Sequence, residues 1–326
     1  MATKKKVKKV KQEGSSDLSR IRSKLGRLTH ERKPTGFMDL GEDLNSVLGD
    51  PDRGLAWGKI VEIAGMPSNG KTVIAIDIAA SAQAQEAHVI WNDFENSFDQ
   101  PIEPNGTDWY SRRGLICHRG DPKRGIKPAD NFTLIQPYVG RFGKEKEDRL
   151  VTAEELIEEC EGVMAAVHRK KPGKPILIIT DSVTAMLPDE EAVAGLTGQN
   201  MRTNMALPFF MGKLLRRWTA LLQNFDASAI FINQLRTNPA AYFGDGSYTP
   251  GGNALPFYAH VRIRMKRIGK GGRMLKNGKL IGIKGLLINY KNKAGGVEGL
   301  KVGYKIFNSG KSRFMEASVI EKEAKA

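Results

Sequence analysis

The segment with the clearest chemical meaning is residues 65–72, whose sequence GMPSNGKT fits the pattern G-x-x-x-x-G-K-[ST]. In this pattern the glycines let backbone N–H groups surround a phosphate, and the lysine adds a positive charge beside the β- and γ-phosphates. The hydroxyl after the lysine is a ligand of Mg²⁺. The sequence therefore predicts a nucleotide-binding loop, a P-loop. Its expected contact residues are Gly65, Ser68, Asn69, Gly70, Lys71 and Thr72.

Acidic residues at the ends of two predicted strands are candidates for the remaining chemistry. Asp181 directly follows an apolar run and lies where open α/β sheets bind ligands, so we expect it to hold Mg²⁺ through water, together with Thr72. An Asp at this position is also typical of a helix cap, and the two roles are compatible. Glu95 is the first candidate for polarising the attacking water, with Asp93 and Asp99 as alternatives.

Strands and helices alternate along the part of the chain that must position these residues. Apolar runs predict strands at residues 59–64, 88–93, 175–180 and 228–233, and helices at residues 72–86 and after a capping box at 152–155. The alternation predicts an α/β fold with a mainly parallel sheet and helices on both faces. From residue 261 to 266 apolar and basic side chains alternate, which indicates a strand with one basic face, and glycine-punctuated strands follow to about Phe314.

Composition narrows the class of protein. The 326 residues carry a net charge of +15, and six lysines lie in the first eleven residues. A basic chain favours a polyanionic partner such as nucleic acid. The only cysteines are Cys117 and Cys160, which predicts a reducing, cytoplasmic environment and neither a disulfide framework nor a cysteine metal site. No apolar stretch is long enough for a membrane span or resembles a secretory signal.

Four regions are predicted from these patterns. Residues 1–16 are a basic tail without apolar periodicity, which is a solvated tail, a DNA-capturing arm or a nuclear import patch. Residues 17–34 form a short amphipathic helix and a linker, residues 35–315 the core, and residues 316–326 a C-terminal tail.

Several segments resemble the bacterial and phage RecA-type recombinases, over about residues 17–315. The stretch 251–259, GGNALPFYA, is the most specific, because replicative helicases and the archaeal and eukaryotic relatives share the P-loop core without it. The other matching segments are Thr35-Gly36, residues 58–65 (GKIVEIAG), 181–185 (DSVTA), 231–236 (FINQLR) and 291–293 (KNK).

The resemblance implies a RecA-like P-loop core with C-terminal antiparallel strands and a short N-terminal helix that docks on the adjacent protomer. It implies ATP and Mg²⁺ as ligands, with Glu95 as the catalytic glutamate and Gln234 as the sensor of the γ-phosphate. Lys291 and Lys293 are similar to two lysines that reach the neighbouring protomer's ATP. Tyr110 matches an adenine-stacking tyrosine, and Asp99 is grouped with the nucleotide-binding residues.

The resemblance also implies DNA-binding residues in two loops, residues 189–202 and 236–252. The expected partners are single-stranded DNA, a homologous duplex and further copies of the chain in a helical filament, together with single-strand-binding and loader proteins. Lys266 and Arg267 are expected near a second DNA site. The other expected DNA-binding residues are Met201, Arg202, Arg236, Phe243, Gly251, Gly252 and Asn253.

Two other functions remain open at this point. One is a RecA-fold motor or helicase that forms a closed ring, against which the 251–259 stretch argues. The other is a filament-forming accessory that binds DNA without exchanging strands. The second is favoured by a departure from the family, since the chain is expected to lack the small domain that usually follows the core.

Overall fold

A computed structural model of the chain describes residues 36–98, 108–121, 125–142, 147–195, 197–198, 200–237, 246–310 and 312–325. From Phe37 onward the chain forms one unit. The predicted tail 1–16 and helix with linker 17–34 lie outside the described residues, as do Asp99 and Phe243. Among the described helices, none is long and apolar enough to cross a membrane.

The strands and helices that the sequence predicts at residues 59–93, from residue 152 to 180 and at 228–233 are present, and residues 118–150 add five further strands. The strands are β1 (Phe37–Met38), β2 (Leu55–Ala56), β3 (Ile60–Gly65), β4 (His88–Asp93), β5 (His118–Asp121), β6 (Gly125–Pro128), β7 (Phe132–Ile135), β8 (Val139–Phe142), β9 (Glu147–Leu150), β10 (Ile176–Asp181), β11 (Ala227–Gln234), β12 (Arg236–Thr237), β13 (Ser247–Tyr248), β14 (Val261–Arg267), β15 (Arg273–Lys276), β16 (Lys279–Asn292), β17 (Lys301–Phe307) and β18 (Ser312–Glu316). The helices are α1 (Glu42–Leu48), α2 (Lys71–Ala84), α3 (Ala153–Lys170), α4 (Asp189–Ala194), α5 (Met201–Asn204), α6 (Ala206–Asn224), α7 (Ala254–Tyr258) and α8 (Ala317–Lys325).

One large sheet organises the unit. Its strands follow the order β18-β17-β16-β14-β3-β11-β10-β4-β7, and β15 pairs with β16. The strands from β14 to β7 are parallel to one another, whereas β15, β16, β17 and β18 pair antiparallel. The predicted mixed architecture, a parallel centre with C-terminal antiparallel strands, is therefore confirmed.

Alternate side chains of the central strands enter two separate apolar layers. On one face, Val61 and Ile63 of β3 pack with helix α2. On the other face, Ile176 and Ile178 of β10 pack with helices α3 and α6. Because successive side chains of a strand point to opposite faces, a run that is apolar throughout fits only a sheet covered on both sides. The carboxyl ends of β3, β4, β10 and β11 thereby meet at one edge of a buried sheet.

Two segments differ from their prediction. The loop expected at residues 189–202 contains the short helices α4 and α5. The residues expected as a C-terminal tail contain helix α8, which buries Ile320 and holds Glu323 near Lys284 and Lys305 of the antiparallel strands. Helix α8 is thus packed on the core and is not a free tail.

Candidate nucleotide-binding site

The P-loop connects β3 to α2 at the carboxyl edge of the parallel strands. Gly70 precedes the helix with φ 88°, a left-handed conformation that glycine adopts without a steric penalty. A Cβ atom at Gly70 would lie 2.5 Å from Cδ1 of Ile306. The left-handed conformation therefore favours glycine, and a larger side chain there would also have to displace the end of the Ile306 side chain. Gly70 itself lines the adjacent cavity at the N-terminus of α2.

Hydrogen bonds to strands β14 and β17 hold the loop in place. The amide of Asn69 donates to the carbonyl of Met265 at 2.9 Å, and the hydroxyl of Tyr304 donates to the carbonyl of Asn69 at 3.0 Å. Asn69 is buried and does not line the cavity. The side chain of Asn69 therefore fixes the loop, and a contact between Asn69 and a nucleotide stays a prediction.

A cavity of about 660 Å³ opens beside the loop. A first group of lining residues is polar and charged: Ser68, Lys71, Thr72, Glu95, Asp181, Gln234 and Arg267. A second group is mostly apolar or aromatic: Pro67, Val73, Trp109, Ile283, Ile306 and Phe307, with Arg113 and Asn308 beside them. A cavity with a charged part and an aromatic part fits a molecule that joins phosphates to a flat ring.

The oxygen atoms of Thr72 and Asp181 form the candidate magnesium position. The Thr72 hydroxyl donates to Oδ2 of Asp181 at 2.8 Å. Burial raises the pKa of Asp181 to about 7, an effect that the hydrogen bond from Thr72 opposes. The described residues hold no cluster of three or more His, Cys, Asp or Glu side chains suited to a metal ion. A hydroxyl and one carboxylate fit Mg²⁺, which binds through few protein ligands and takes its other oxygens from water and substrate phosphates.

Lys71 supplies a cation within reach of the same position. Its Nζ donates to the carbonyl of Met66 at 3.1 Å. Burial lowers the pKa of Lys71, while the carboxylates of Asp181 and Glu95 oppose that shift. The lysine is therefore held close to both acids and to the loop, as the phosphate-binding pattern predicts.

Glu95 is exposed and lines the cavity, and the Ser182 hydroxyl donates to its Oε1. The alternative base Asp93 is fully buried, and its Oδ2 accepts from the backbone N–H of Phe98 at 2.7 Å and from Gln136 at 2.9 Å. Asp93 thus supports the chain after β4, and of these two acids only Glu95 reaches the cavity.

The aromatic part of the cavity is built around Arg113. Its guanidinium carbon lies 4.8 Å from the centre of the Trp109 ring. Arg113 itself is held by Asp77 at 3.3 Å and by the Ser312 hydroxyl at 3.1 Å. A buried, fixed cation behind an indole ring keeps that ring at a set angle. Sequence reasoning missed both Trp109 and Arg113, although the Trp109-Tyr110 pair was a usable signal for an aromatic wall.

Comparison of the sequence with known proteins identifies the family of the chain. A sequence model described as the RecA N-terminal domain matches residues 130–297. The chain is 32% identical to Protein RecA of Mycoplasma pneumoniae over 279 residues, which are 85% of this chain and 68% of that protein. The chain belongs to the RecA family. It is also 31% identical to Protein RecA of Thermus thermophilus over 261 residues, 80% of this chain and 62% of that protein. Against Protein RecA of Mesorhizobium japonicum it is 30% identical over 243 residues, 73% of this chain and 53% of that protein.

One RecA-type expectation fails at the aromatic position. Tyr110 is only 4% exposed, and its ring stacks on Phe98 with the ring centres 3.8 Å apart. The ring therefore belongs to the core and does not line the cavity. Trp109, the preceding residue, lies at the cavity wall in its place.

The two lysines of the RecA-type pair do not line the cavity of their own chain. The Nζ of Lys291 donates to the carbonyls of Pro256 and Phe257, both at 2.8 Å, while the side chain of Lys293 is exposed. Their positions are compatible with a contact to another protomer, which stays a prediction.

Among the predicted DNA-binding residues that the structure describes, most lie on exposed parts of the unit, with two exceptions. Met201 is 86% exposed, and Arg236, Asn253 and Lys266 are exposed as well. Arg202 is exposed and pairs with Glu190 at 2.9 Å. The first exception is the glycine pair: Gly251 is buried and Gly252 half-buried, and both have positive φ angles, 91° and 76°.

Arg267 is the second exception, because the structure places it at the nucleotide cavity. One of its terminal amino groups donates to the carbonyl of Ser68 in the P-loop. Residues 266 and 267 are successive in strand β14, so their side chains point to opposite faces. Arg267 and Lys266 therefore face different sides of the strand, and the expected contact of each with DNA stays a prediction.

Gln234 connects the cavity to the second predicted DNA loop. It ends strand β11 and lines the cavity. The side chain of its neighbour Asn233 donates to the carbonyl of Pro250 at 3.0 Å, just before the two glycines. The end of one strand thus contacts both the cavity and the base of the loop.

Proposed function

We propose that this RecA-family chain is a DNA-dependent ATPase and a recombinase. It binds ATP and Mg²⁺ in the cavity beside the P-loop, assembles as a helical filament on single-stranded DNA and pairs that strand with a homologous duplex. Homologous recombination and DNA repair are the processes that such an activity serves.

One observation carries the proposal: the Thr72–Asp181 pair, at 2.8 Å, lies in the same cavity as Lys71 and Glu95. These are the groups that phosphoryl transfer from a nucleoside triphosphate to water requires, since such catalysis consists mainly of positioning and charge stabilisation. The family membership supports recombination as the purpose of this ATP turnover.

Each of these residues has its own role in ATP hydrolysis. Lys71 and the loop N–H groups hold the phosphates, and Thr72 with Asp181 holds Mg²⁺, which neutralises phosphate charge when bound. Glu95 accepts a proton from the attacking water and orients it, and the hydrogen bond from Ser182 fixes the carboxylate. Gln234 lies where a change at the phosphates reaches the 236–252 loop.

Contact with DNA is proposed for the exposed loop residues. In this proposal Arg236 contacts backbone phosphate and Met201 wedges between bases. A protein that holds the backbone leaves the reading of sequence to base pairing, so its affinity depends on salt and hardly on sequence. The net charge of +15 agrees with this mode of binding.

The test is an ATPase assay with and without single-stranded DNA, run beside a strand-exchange assay with a homologous and an unrelated duplex. We expect DNA to stimulate turnover, and joint molecules to form only with the homologous duplex. Lys71→Ala should abolish both activities. Turnover that DNA does not change would refute the proposal, and stimulated turnover without joint molecules would replace it with the DNA-binding accessory.

A further inference from the structure

Arg267 is a charged residue on the apolar face of its strand. In β14 the side chains of Val261, Ile263 and Met265 are buried, and Arg267 continues the same alternation at the end of the strand. A position that period-2 alternation directs towards the interior is a costly place for a permanent cation. Arg267 is half-buried at the end of the strand, so an anion near the guanidinium would offset the part of that cost that remains.

The register of the sheet brings Arg267 to the P-loop. Strand β14 runs parallel to β3, and Met265 pairs with Gly65, the residue that opens the loop. Arg267 is two residues further along and therefore lies beside the loop itself. One amino group donates to the Ser68 carbonyl, and the residue lines the cavity that holds Lys71.

The hydrogen-bond capacity of Arg267 is only partly used. Its Nε is shielded from solvent and has no acceptor among the described residues. Among the described residues, the one hydrogen-bond acceptor of the Arg267 side chain is the uncharged carbonyl of Ser68. By contrast, Arg113, the other guanidinium at the cavity, is paired with Asp77.

We propose that Arg267 is a second phosphate-binding cation of the nucleotide site, acting in the same protomer as Lys71. The inference rests on the proposed function and specifies its ligand contacts. A guanidinium has five donors in a rigid fork, so one N–H stays on the Ser68 carbonyl while the donors that face the cavity bind phosphate oxygens. A lysine has no such fork and cannot keep both contacts in this geometry.

The experiment measures equilibrium binding of ATP, ADP and adenosine by calorimetry, with Mg²⁺ and without DNA. Arg267→Gln should weaken ATP and ADP binding on the order of tenfold to a hundredfold, the range for loss of a hydrogen bond to a charged group. Adenosine binding should stay within about twofold, since a phosphate contact contributes nothing to it. Arg267→Lys should also bind ATP more weakly than the unaltered chain.

The matched control is Arg273→Gln, which makes the same charge change at an exposed position of β15. It should leave the binding of all three ligands unchanged. Melting of the nucleotide-free variants, followed by circular dichroism, shows whether each is folded. If Arg267→Gln does not fold, the comparison is made with Arg267→Lys.

The outcomes separate this inference from the proposed function. Equal loss of adenosine and ATP binding in the Arg267 variants means that the residue only supports the loop, and the inference is then wrong. The inference is also wrong if the Arg267 variants bind ATP as tightly as the unaltered chain does. If the unaltered chain itself binds no ATP, the proposed function fails instead.

Discussion

Trp109 gives the nucleotide site a spectroscopic signal of its own. The chain has four tryptophans. Trp57, Trp91 and Trp218 are at most 5% exposed, whereas Trp109 is half-buried and lines the cavity. A bound base that stacks on an indole changes the fluorescence of that indole. The emission of this protein should therefore report nucleotide binding.

We expect ATP to quench or shift the tryptophan emission, and Trp109→Phe to lose nearly all of that change while still binding ATP. Trp57→Phe, at a buried position outside the cavity, should keep it. Fluorescence titration beside calorimetry checks both points. An unchanged signal in Trp109→Phe would show that the base binds elsewhere, and Tyr110 would then have to leave its stack on Phe98.

Glu95 and Ser182 make a second residue-level prediction, on turnover. Glu95→Gln removes the proton acceptor but keeps the size of the side chain, so DNA-stimulated ATP turnover should fall on the order of a hundredfold or more, the range for general base catalysis. ATP binding should change little. Ser182→Ala, which removes the hydrogen bond to Oε1, should show a smaller loss.

Steady-state ATPase rates and equilibrium ATP binding, measured on the same preparations, test this assignment. Retained turnover in Glu95→Gln would move the base to another group. Asp93 is poorly placed for that role, because the Phe98 N–H and the Gln136 amide already occupy its Oδ2.

The residues that a local pattern defines were predictable from the sequence, and those placed by long-range contacts were not. Lys71 and Thr72 occupy fixed positions in a loop of eight residues. Arg267 reaches that loop from 199 residues further along the chain. No spacing rule covers such a contact, because it depends on β14 pairing with β3 in the observed register. The basic side chains of β14 led to the prediction of a DNA surface because the sequence alone does not show that Arg267 lies beside the P-loop.

At the scale of elements, the strands buried on both faces were the easiest to predict from the sequence. An unbroken apolar run between turns is typical of a parallel strand covered by helices. Strand β10, Ile176–Asp181, coincides with such a run and is buried throughout. Helix α8 gave a weaker signal, because only Ile320 is buried in it and its position depends on pairs between Glu323 and the lysines of two strands. Tertiary contacts, not local propensity, define it.

Two histidines at the amino-terminal ends of β3 and β4 predict that the folded chain is less stable in acid. His260 accepts a hydrogen bond from the backbone N–H of Ile60 at 3.1 Å, where β3 begins. Burial lowers the pKa of His260 to about 4, and Lys59, Lys291 and Lys293 add to that shift. Burial likewise lowers the pKa of His88, at the start of β4, to about 4.

Both rings are therefore neutral in the folded chain at pH 7. Between the unfolded value of about 6.5 and the folded value of about 4 the unfolded chain binds more protons, so acid favours unfolding in that window. We expect the two histidines to make the melting temperature fall as the pH is lowered from 7 to 5, while Asp181, whose pKa burial raises to about 7, acts in the opposite direction and reduces the net fall. His260→Gln should reduce the slope of that fall, whatever its effect at pH 7. Thermal melts at several pH values measure the slope, and an unchanged slope would contradict the assignment.

At the scale of the whole molecule, the decisive question is whether the ATP site is completed by a second protomer. Lys291 and Lys293 do not line their own cavity; Lys291 lies at the end of strand β16 and is half-buried, and Lys293 directly follows the strand and is exposed. A head-to-tail interface that repeats without closing gives a helical filament, and one that closes gives a ring. Electron microscopy with ATP and single-stranded DNA distinguishes these forms, and rings would favour the motor over the recombinase.

Mixing two inactive variants tests the shared site directly. The double variant Lys291→Ala with Lys293→Ala keeps Glu95, and Glu95→Gln keeps both lysines, so an interface with one protomer of each kind in the right order has a complete site. Each variant alone should show little DNA-stimulated turnover. An equal mixture should regain about a quarter of the rate of the unaltered chain, because random head-to-tail assembly gives that share of complete interfaces.

The control mixes Lys71→Ala with Glu95→Gln. Both changes affect the P-loop side of the same site, so no arrangement of those protomers restores a complete interface, and the mixture should stay inactive. If the lysine variant and Glu95→Gln likewise fail to complement each other although both assemble on DNA, the lysines do not act on the neighbouring protomer. A single protomer would then have to supply every group that turnover needs, and the filament would serve only to hold DNA.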